Sequence, residues 1–399
     1  MEKLKIANFV IEIRKNLRSG NVFIKFNEKL GSVTTKVLLK SNEIVIKIDD
    51  EEYTIETADY FHINVQSFYN LLVKDHFISF RFITDENQFN SELITTNLGS
   101  GINYEKLKLS ISNEDVKVTC SNCDSLLTIE KDVNFKRILE LPSSSMAISD
   151  WFCHLHDGDK IFNNPEHCNN NHVNDKECFN EETQVFKPKI NDIFYGPFHL
   201  LLSSQLLEMN RLRPKKTIPS LMHCKRCLQL MCKRSGNSCL TFWWENVKFN
   251  GKYLYNGISS PIDLVKKVIS NHLSCDSLSF LSPIIKIIFE SVNPSTGQKM
   301  HILLQIMDKN LKLLKLNLES FKIMEVKTIK VMYLNLNHLN SDDDERTLKY
   351  WQKDINTMTF EFSFKMFHLF TEYLDEQSST IPEMYRFNNS FQLSYIEIV

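Results

Sequence analysis

Two short motifs constrain this chain more than anything else in it: "TCSNC", with Cys120 and Cys123, and "HCKRC", with Cys224 and Cys227. Each is a C-x-x-C knuckle, and about a hundred residues lie between them. Zinc takes four thiolates in a tetrahedron, and two knuckles supply two each, with the backbone amides of each tight turn able to donate to the sulfurs. A chain that shares one ion between these motifs must fold so that positions 120 and 224 meet. The residues between them then form an insertion anchored at both ends. A closed site of four sulfurs leaves no coordination position open, so its role is structural. The competing readings are two unrelated pairs of free thiols and a redox motif. The redox reading fits less well, because neither pair opens a helix after a βα turn.

Compartment decides how the remaining sulfurs are read. The start, "MEKLKIANFVIEIRKN", scatters charges among its apolar residues, and nowhere does an apolar run reach the roughly 18 residues that a membrane span requires. A cytoplasmic and nuclear protein is expected. Its ten cysteines are then thiols or metal ligands rather than disulfides. With 47 Lys and Arg against 49 Asp and Glu, the net charge of -2 gives no general attraction to nucleic acid or to an anionic membrane, and neither is expected as a direct partner. The chain's 399 residues suffice for two or three packed units.

The first third alternates as strands do. "EIVIKI" (43–48), "HFISFRFI" (76–83), "KLKLSI" (106–111) and "VKVT" (116–119) predict an antiparallel β unit, the last two forming a hairpin that delivers Cys120 at a strand end. From about 142 to 220 regular patterning gives way to Asn, His and Pro, which predicts a long irregular excursion. Within it only "NDIFYGPFHLLLSSQLL" (191–207) is apolar enough to dock on a core. Regularity then returns. Ser260 as N-cap and Pro261 in the first turn open an amphipathic helix through "SSPIDLVKKVISNHL". "PIIKIIFESV", "KMHILLQIMD", "LKLLKLNL" and "IKVMYLNL" read as strands of one sheet, and "FKMFHLFTEYL" (364–374) as a final helix. The class is α+β, in three parts: a β-rich region at 1–119, a zinc-knuckle region with its insertion at 120–235, and an α+β region at 236–399. No phosphate-binding glycine loop or hydrolase nucleophile motif is present, and ten glycines in all argue against cofactor loops.

Inside the excursion, "DWFCHLHDG" sets Trp151, Cys153, His154 and His156 close together. Three readings stay open. Trp151 and Phe152 could pin the loop while the histidines are solvated. A second metal could draw on Cys168 or Cys178 with His167 or His172. Or the group could contact a partner, since a catalytic thiol needs an oriented base that adjacency alone does not supply.

The order "VTCSNCDSLL", "FKRILELPSSSMAISDWFCH", "NDIFYG", "HCKRC" and "RFNNSFQLSYI" resembles the HECT-like ubiquitin ligase family that binds ubiquitin-conjugating enzymes, over residues 5 to 399. The chain departs from it in two places. Met231 and Cys232 stand where the family has Leu-Gly, and Ile193 where it has a cysteine, with Cys178 as a shifted counterpart that fits less well.

The resemblance implies two functions. The first is a ligase that accepts ubiquitin from a ubiquitin-conjugating enzyme and passes it to a substrate such as cyclin B. That route requires a thioester-forming cysteine, for which Cys232, Cys239 and Cys275 are candidates. The enzyme-binding segment would fall at 250–272, which reads more readily as a core helix. The second is a binding protein for the metallo-β-lactamase-fold endonuclease of pre-mRNA cleavage and polyadenylation. There Trp151, Cys153 and His154 would enter the endonuclease's two-zinc site, with the thiolate as ligand.

Overall fold

The computed structural model describes residues 6–14, 17–30, 34–49, 51–85, 109, 111, 115–141, 179–180, 185–236, 238–274, 285–317, 319–320, 322–336, 342–354 and 356–398. Two stretches read from the sequence fall mainly outside that set. They are the strand at 106–111 and the excursion from 142 to 178, the latter with Trp151, Cys153, His154 and His156.

Strands dominate. The larger sheet contains β1 (Ile6–Arg14), β2 (Ser19–Phe26), β6 (Tyr69–Lys74), β7 (Phe77–Ile83), β21 (Lys286–Val292), β22 (Lys299–Asn317), β23 (Lys322–Leu336), β24 (Thr357–Glu361), β25 (Phe387–Asn388) and β26 (Phe391–Glu397). Its order is β25-β26-β23-β22-β1-β2-β7-β6, with β21 branching from β22 and β24 pairing with β21. Both ends of the chain therefore share one sheet, joined where Val10–Ile13 pair with Lys312–Lys315. A buried ion network closes that seam. Glu12 accepts hydrogen bonds from Lys330 Nζ and the Tyr395 hydroxyl, each at 2.6 Å, and from Asn21 Nδ2 at 3.2 Å.

The smaller sheet carries the second knuckle. It consists of β11 (Arg137–Glu140), β14 (Asp192–Tyr195), β15 (His199–Ser203), β16 (Leu212–Pro214), β17 (Leu221–Cys224), β18 (Leu230–Ser235) and β19 (Cys239–Trp243), in the order β11-β14-β15-β19-β18-β17-β16. Only β11 and β14 run parallel. Minor pairings complete the set: a three-stranded sheet of β3 (Thr35–Lys40), β4 (Glu43–Ile48) and β5 (Glu51–Glu56), and the pairs of β8 (Asp115–Val116) with β10 (Val133–Asn134), β9 (Val118–Cys120) with β20 (Val247–Phe249), and β12 (Phe179–Asn180) with β13 (Val185–Phe186).

Helix α1 (Pro261–Ser274) begins as its sequence signals: Ser260 Oγ accepts from the Asp263 amide at 3.1 Å, and Leu264, Val265, Val268 and Ile269 are buried. Helix α2 (Asp342–Lys353) has no counterpart in the sequence reading, because only Leu348 and Trp351 are buried in an otherwise charged segment. Helix α3 (Phe364–Ser378) is capped by Ser363, whose hydroxyl accepts from the Met366 amide. It is followed by the single turn α4 (Glu383–Arg386). The main core lies among the smaller sheet, α1, α3, β21 and the first half of β22, and it includes Cys120 and Cys224. A second core packs β1, β2 and β7 against the β3–β5 sheet.

Two expectations change. The stretch 191–220 is not irregular: β14 and β15 form a buried hairpin, Ile193 against Leu202, and β16 follows. "KMHILLQIMD" and "LKLLKLNL" are one strand, β22, whose register slips between Ile306 and Leu311, where residues 307–310 are exposed. That polar interruption mimics a turn. Among the described residues, the ladder partners of β9 are Val247, Lys248 and Phe249, far along the chain, while most of the strand read at 106–111 lies outside the described residues.

Candidate metal centre

Each knuckle is built on the same local geometry. In the first, the Cys120 amide donates to Ser125 O and the Asp124 amide to Cys120 O, both at 2.9 Å. In the second, the Cys224 amide donates to Gln229 O at 2.8 Å and the Leu228 amide to Cys224 O at 2.9 Å. Asp124 and Leu228 occupy the same place in the two turns, and both have left-handed backbones, at φ 53 and φ 64. The tight turn points the backbone N–H groups inward. Those of Asn122 and Cys123 donate to the Cys120 sulfur, that of Ser125 to Cys123, and that of Gln229 to Cys227.

Long-range ties set the two turns face to face. β9 pairs with β20, and the Ser121 amide donates to Asn246 O at 3.0 Å. From the second knuckle, Gln229 Nε2 donates to Asn246 Oδ1 at 2.6 Å and to Ser121 Oγ at 3.3 Å. Arg211 Nη1 reaches Leu126 O at 2.8 Å, and Arg226 Nη1 reaches Cys123 O at 3.3 Å. Asn246 thus belongs to both turns. Nothing in "WWEN" announces this, since its role depends on a strand pairing that brings 246 back to 121.

The result is a compact group of sulfurs. Cys120 Sγ lies 3.7 Å from Cys227 Sγ, Cys123 Sγ lies 3.6 Å from Cys224 Sγ, and all four are within 4.8 Å of one another. None is in a disulfide. Cys120 and Cys224 are fully buried, while Cys123 and Cys227 are half-buried. The Met231 sulfur covers the inner side, 3.6 Å from Cys120 Sγ. Met231, one of the two departures from the family pattern, is therefore a core residue of this centre. Burial pushes the Cys120 and Cys123 thiols up. At Cys227 burial acts the same way but is outweighed by donors, first the Asn122 side chain and then the Gln229 amide, which bring this thiol down to about 7. Amide donors aimed at the sulfurs favour thiolates and burial disfavours them. A cation held among the four would remove that conflict. The donors are all sulfur and the group is closed, so a metal here would serve the fold.

The other candidate residues fare differently. Cys232 and Cys239, named above for a thioester, are buried at 0% and 1% exposure. Cys232 faces the core from β18 opposite Phe242 and Met222, and burial drives its thiol well up. Cys239 donates to Ser235 O at 2.8 Å. Neither thiol is exposed: Cys232 faces the main core, and Cys239, on the opposite face of the sheet, is covered as well. Cys275, Cys178, Trp151, Cys153 and His154 lie outside the described residues. In the segment 250–272, the apolar face of α1 is spent on the core with Leu254 and Tyr255, and the Tyr255 hydroxyl donates to Gly196 O at 2.6 Å.

No curated protein and no solved structure gives a match to this chain. Among the described residues, no helix is long and apolar enough to cross a membrane. A family comparison does succeed: residues 12–393, nearly the whole length, match the family described as "HECT-like Ubiquitin-conjugating enzyme (E2)-binding". The chain belongs to that HECT-like, E2-binding family.

Proposed function

We propose that the protein is a ubiquitin-protein ligase that receives ubiquitin from a conjugating enzyme and passes it to protein substrates of the cyclin B kind, in cytoplasm and nucleus, on a fold held by one structural zinc ion. Family membership over 12–393 carries this reading. The zinc assignment draws on geometry. A Zn–S bond of about 2.3 Å in a tetrahedron puts sulfurs about 3.8 Å apart, close to the 3.6 and 3.7 Å of the two cross-knuckle pairs. Four soft donors without an oxygen or nitrogen select zinc over magnesium or calcium.

HECT-type transfer needs a thiolate that can attack the thioester of the charged conjugating enzyme. Of the ten cysteines, four form the metal cluster and Cys232 and Cys239 are buried. The acceptor is thereby narrowed to Cys153, Cys168, Cys178 or Cys275. The test is incubation of the full chain with ubiquitin-charged conjugating enzyme, followed by electrophoresis without reductant. A reducible ubiquitin adduct that disappears in one of the four Cys→Ser variants supports the ligase. If no such adduct forms with the wild type, the thioester mechanism is wrong and the protein's part in the pathway is binding alone.

One observation favours a second reading. Four sulfurs are enough for a closed zinc site, so the centre does not need Cys153 as a ligand. A non-enzymatic role, with Trp151, Cys153 and His154 engaging the two-zinc endonuclease of pre-mRNA 3'-end cleavage, is consistent with this. Cys153→Ala should then abolish co-purification with the endonuclease while zinc content stays the same. Loss of zinc from that variant would exclude the idea.

A further inference from the structure

Between Glu208 and Glu245 the chain carries eight Lys and Arg residues and not one Asp or Glu, although the whole protein has a net charge of -2. The fold gathers most of these cations at one place, the free edge of the smaller sheet. β16 is the terminal strand there, and Arg213 and Lys215 point to the same side of it. Lys216 follows at one end of the strand. Lys225 and Arg226, on the tip of the second knuckle, sit at the other, where the Lys225 amide donates to Arg211 O at 2.8 Å. Arg213, Lys216, Lys225 and Arg226 are exposed and Lys215 is half-exposed. Among the described residues none of the five makes an ion pair; Arg226 alone has a side-chain partner, the carbonyl of Cys123. A row of unneutralised cations on a rigid edge repels itself and costs stability unless something else gains from it.

Leu228 adds a second anomaly beside Arg226. It is 62% exposed, and its φ of 64 places a branched apolar side chain in the left-handed region. The equivalent turn position in the first knuckle is Asp124, a residue type that tolerates that region. The left-handed backbone belongs to the knuckle turn, as at Asp124; what the fold does not use is the exposed leucine side chain placed there.

We infer that the β16 edge and the second knuckle form a docking surface for an acidic polypeptide segment that also presents an apolar side chain to Leu228. Two features choose this occupant. Residues 209 to 238 contain no Phe, Tyr or Trp, so this segment brings no such ring of its own on which bases could stack. And Pro214 withholds a backbone N–H from the free edge, which discourages strand addition and leaves recognition to the side chains. The inference goes beyond the ubiquitin reading and does not depend on it.

The test uses the full chain and a fluorescein-labelled synthetic peptide of repeating Glu-Asp-Leu, with binding followed by anisotropy at low and high salt. Wild type should bind saturably and lose affinity as salt rises. Arg213→Glu with Lys215→Glu and Lys216→Glu should weaken binding on the order of tenfold or more. Leu228→Gly should weaken it roughly tenfold while leaving metal content and melting temperature at or above wild type. The corresponding triple Gln variant gives the same comparison without charge reversal, should the Glu variant fail to fold. Absence of peptide binding overturns the proposal, as does equal binding by the variants. Tighter binding of a single-stranded RNA of matched charge would also overturn it, making the edge a nucleic-acid surface instead.

Discussion

Removing the second knuckle as a pair, Cys224→Ala with Cys227→Ala, tests the organising role of the metal centre. The span from Cys123 to Cys224 is 101 residues. Closing a loop of about 100 residues with a covalent link is worth about 4.7 kcal/mol of unfolded-chain entropy, and a metal clip acts on the same term. Whole domains are stable by only about 5–15 kcal/mol, so loss of the staple should remove a large share of the total. The assay is metal content by mass spectrometry together with urea unfolding, read through tryptophan fluorescence. Trp244 reports well because it is fully buried two residues before Asn246, the side chain that ties the knuckles together. The expected result is a metal-free variant with its urea midpoint lowered by the equivalent of about 4–5 kcal/mol, matched by wild type after chelation. If variant and chelated wild type unfold at the untreated midpoint, the four sulfurs are only neighbours and the staple argument fails.

Three further outcomes are expected. Burial pushes the Glu245 carboxyl up to about 7, against the Ser363 hydroxyl that donates to it. The folded protein then holds a proton that the unfolded chain releases above about 4.5, so stability should fall between those pH values; Glu245→Gln should abolish that fall and raise urea stability at pH 8 by up to about 3 kcal/mol. At Glu12 burial opposes the charge but is outweighed by Lys330, whose attraction holds the carboxyl below its ordinary range. Its contribution is present above the ordinary carboxylate range and lost as pH falls through the folded value. Glu12→Gln should cost about 3–5 kcal/mol at pH 7 and flatten the acid limb of the urea midpoint against pH. Gly20→Ala should destabilise by about 1–3 kcal/mol, seen as a lower melting temperature, because a Cβ there would come 2.4 Å from the Phe82 ring.

Local pattern carried a good deal of this protein. The N-cap at Ser260, the strands at 43–48 and 76–83, the helix from 364 and the two knuckles all follow from residue spacing within a few positions. Spacing failed where the decisive contact was distant or the cue ambiguous. The exposed residues 307–310 looked like a turn although the chain continues straight through them, and α2 was hidden because only two of its side chains reach the core. Cys232 and Cys239 looked available because burial of a thiol depends on what packs over each face of its sheet, and here both faces are covered by distant parts of the chain.

The sequence by itself determined that two C-x-x-C turns exist, what geometry each adopts, and that their sulfurs suit a soft ion, because a tight turn of six residues is governed by its own hydrogen bonds. Only the tertiary structure decided that the turns face one another, that Asn246 holds them there, and that the cations of 213–226 gather at one sheet edge. Those are relations between residues far apart in the chain. They are settled by the core that buries β9, β17 and β20 together, and no local preference encodes them.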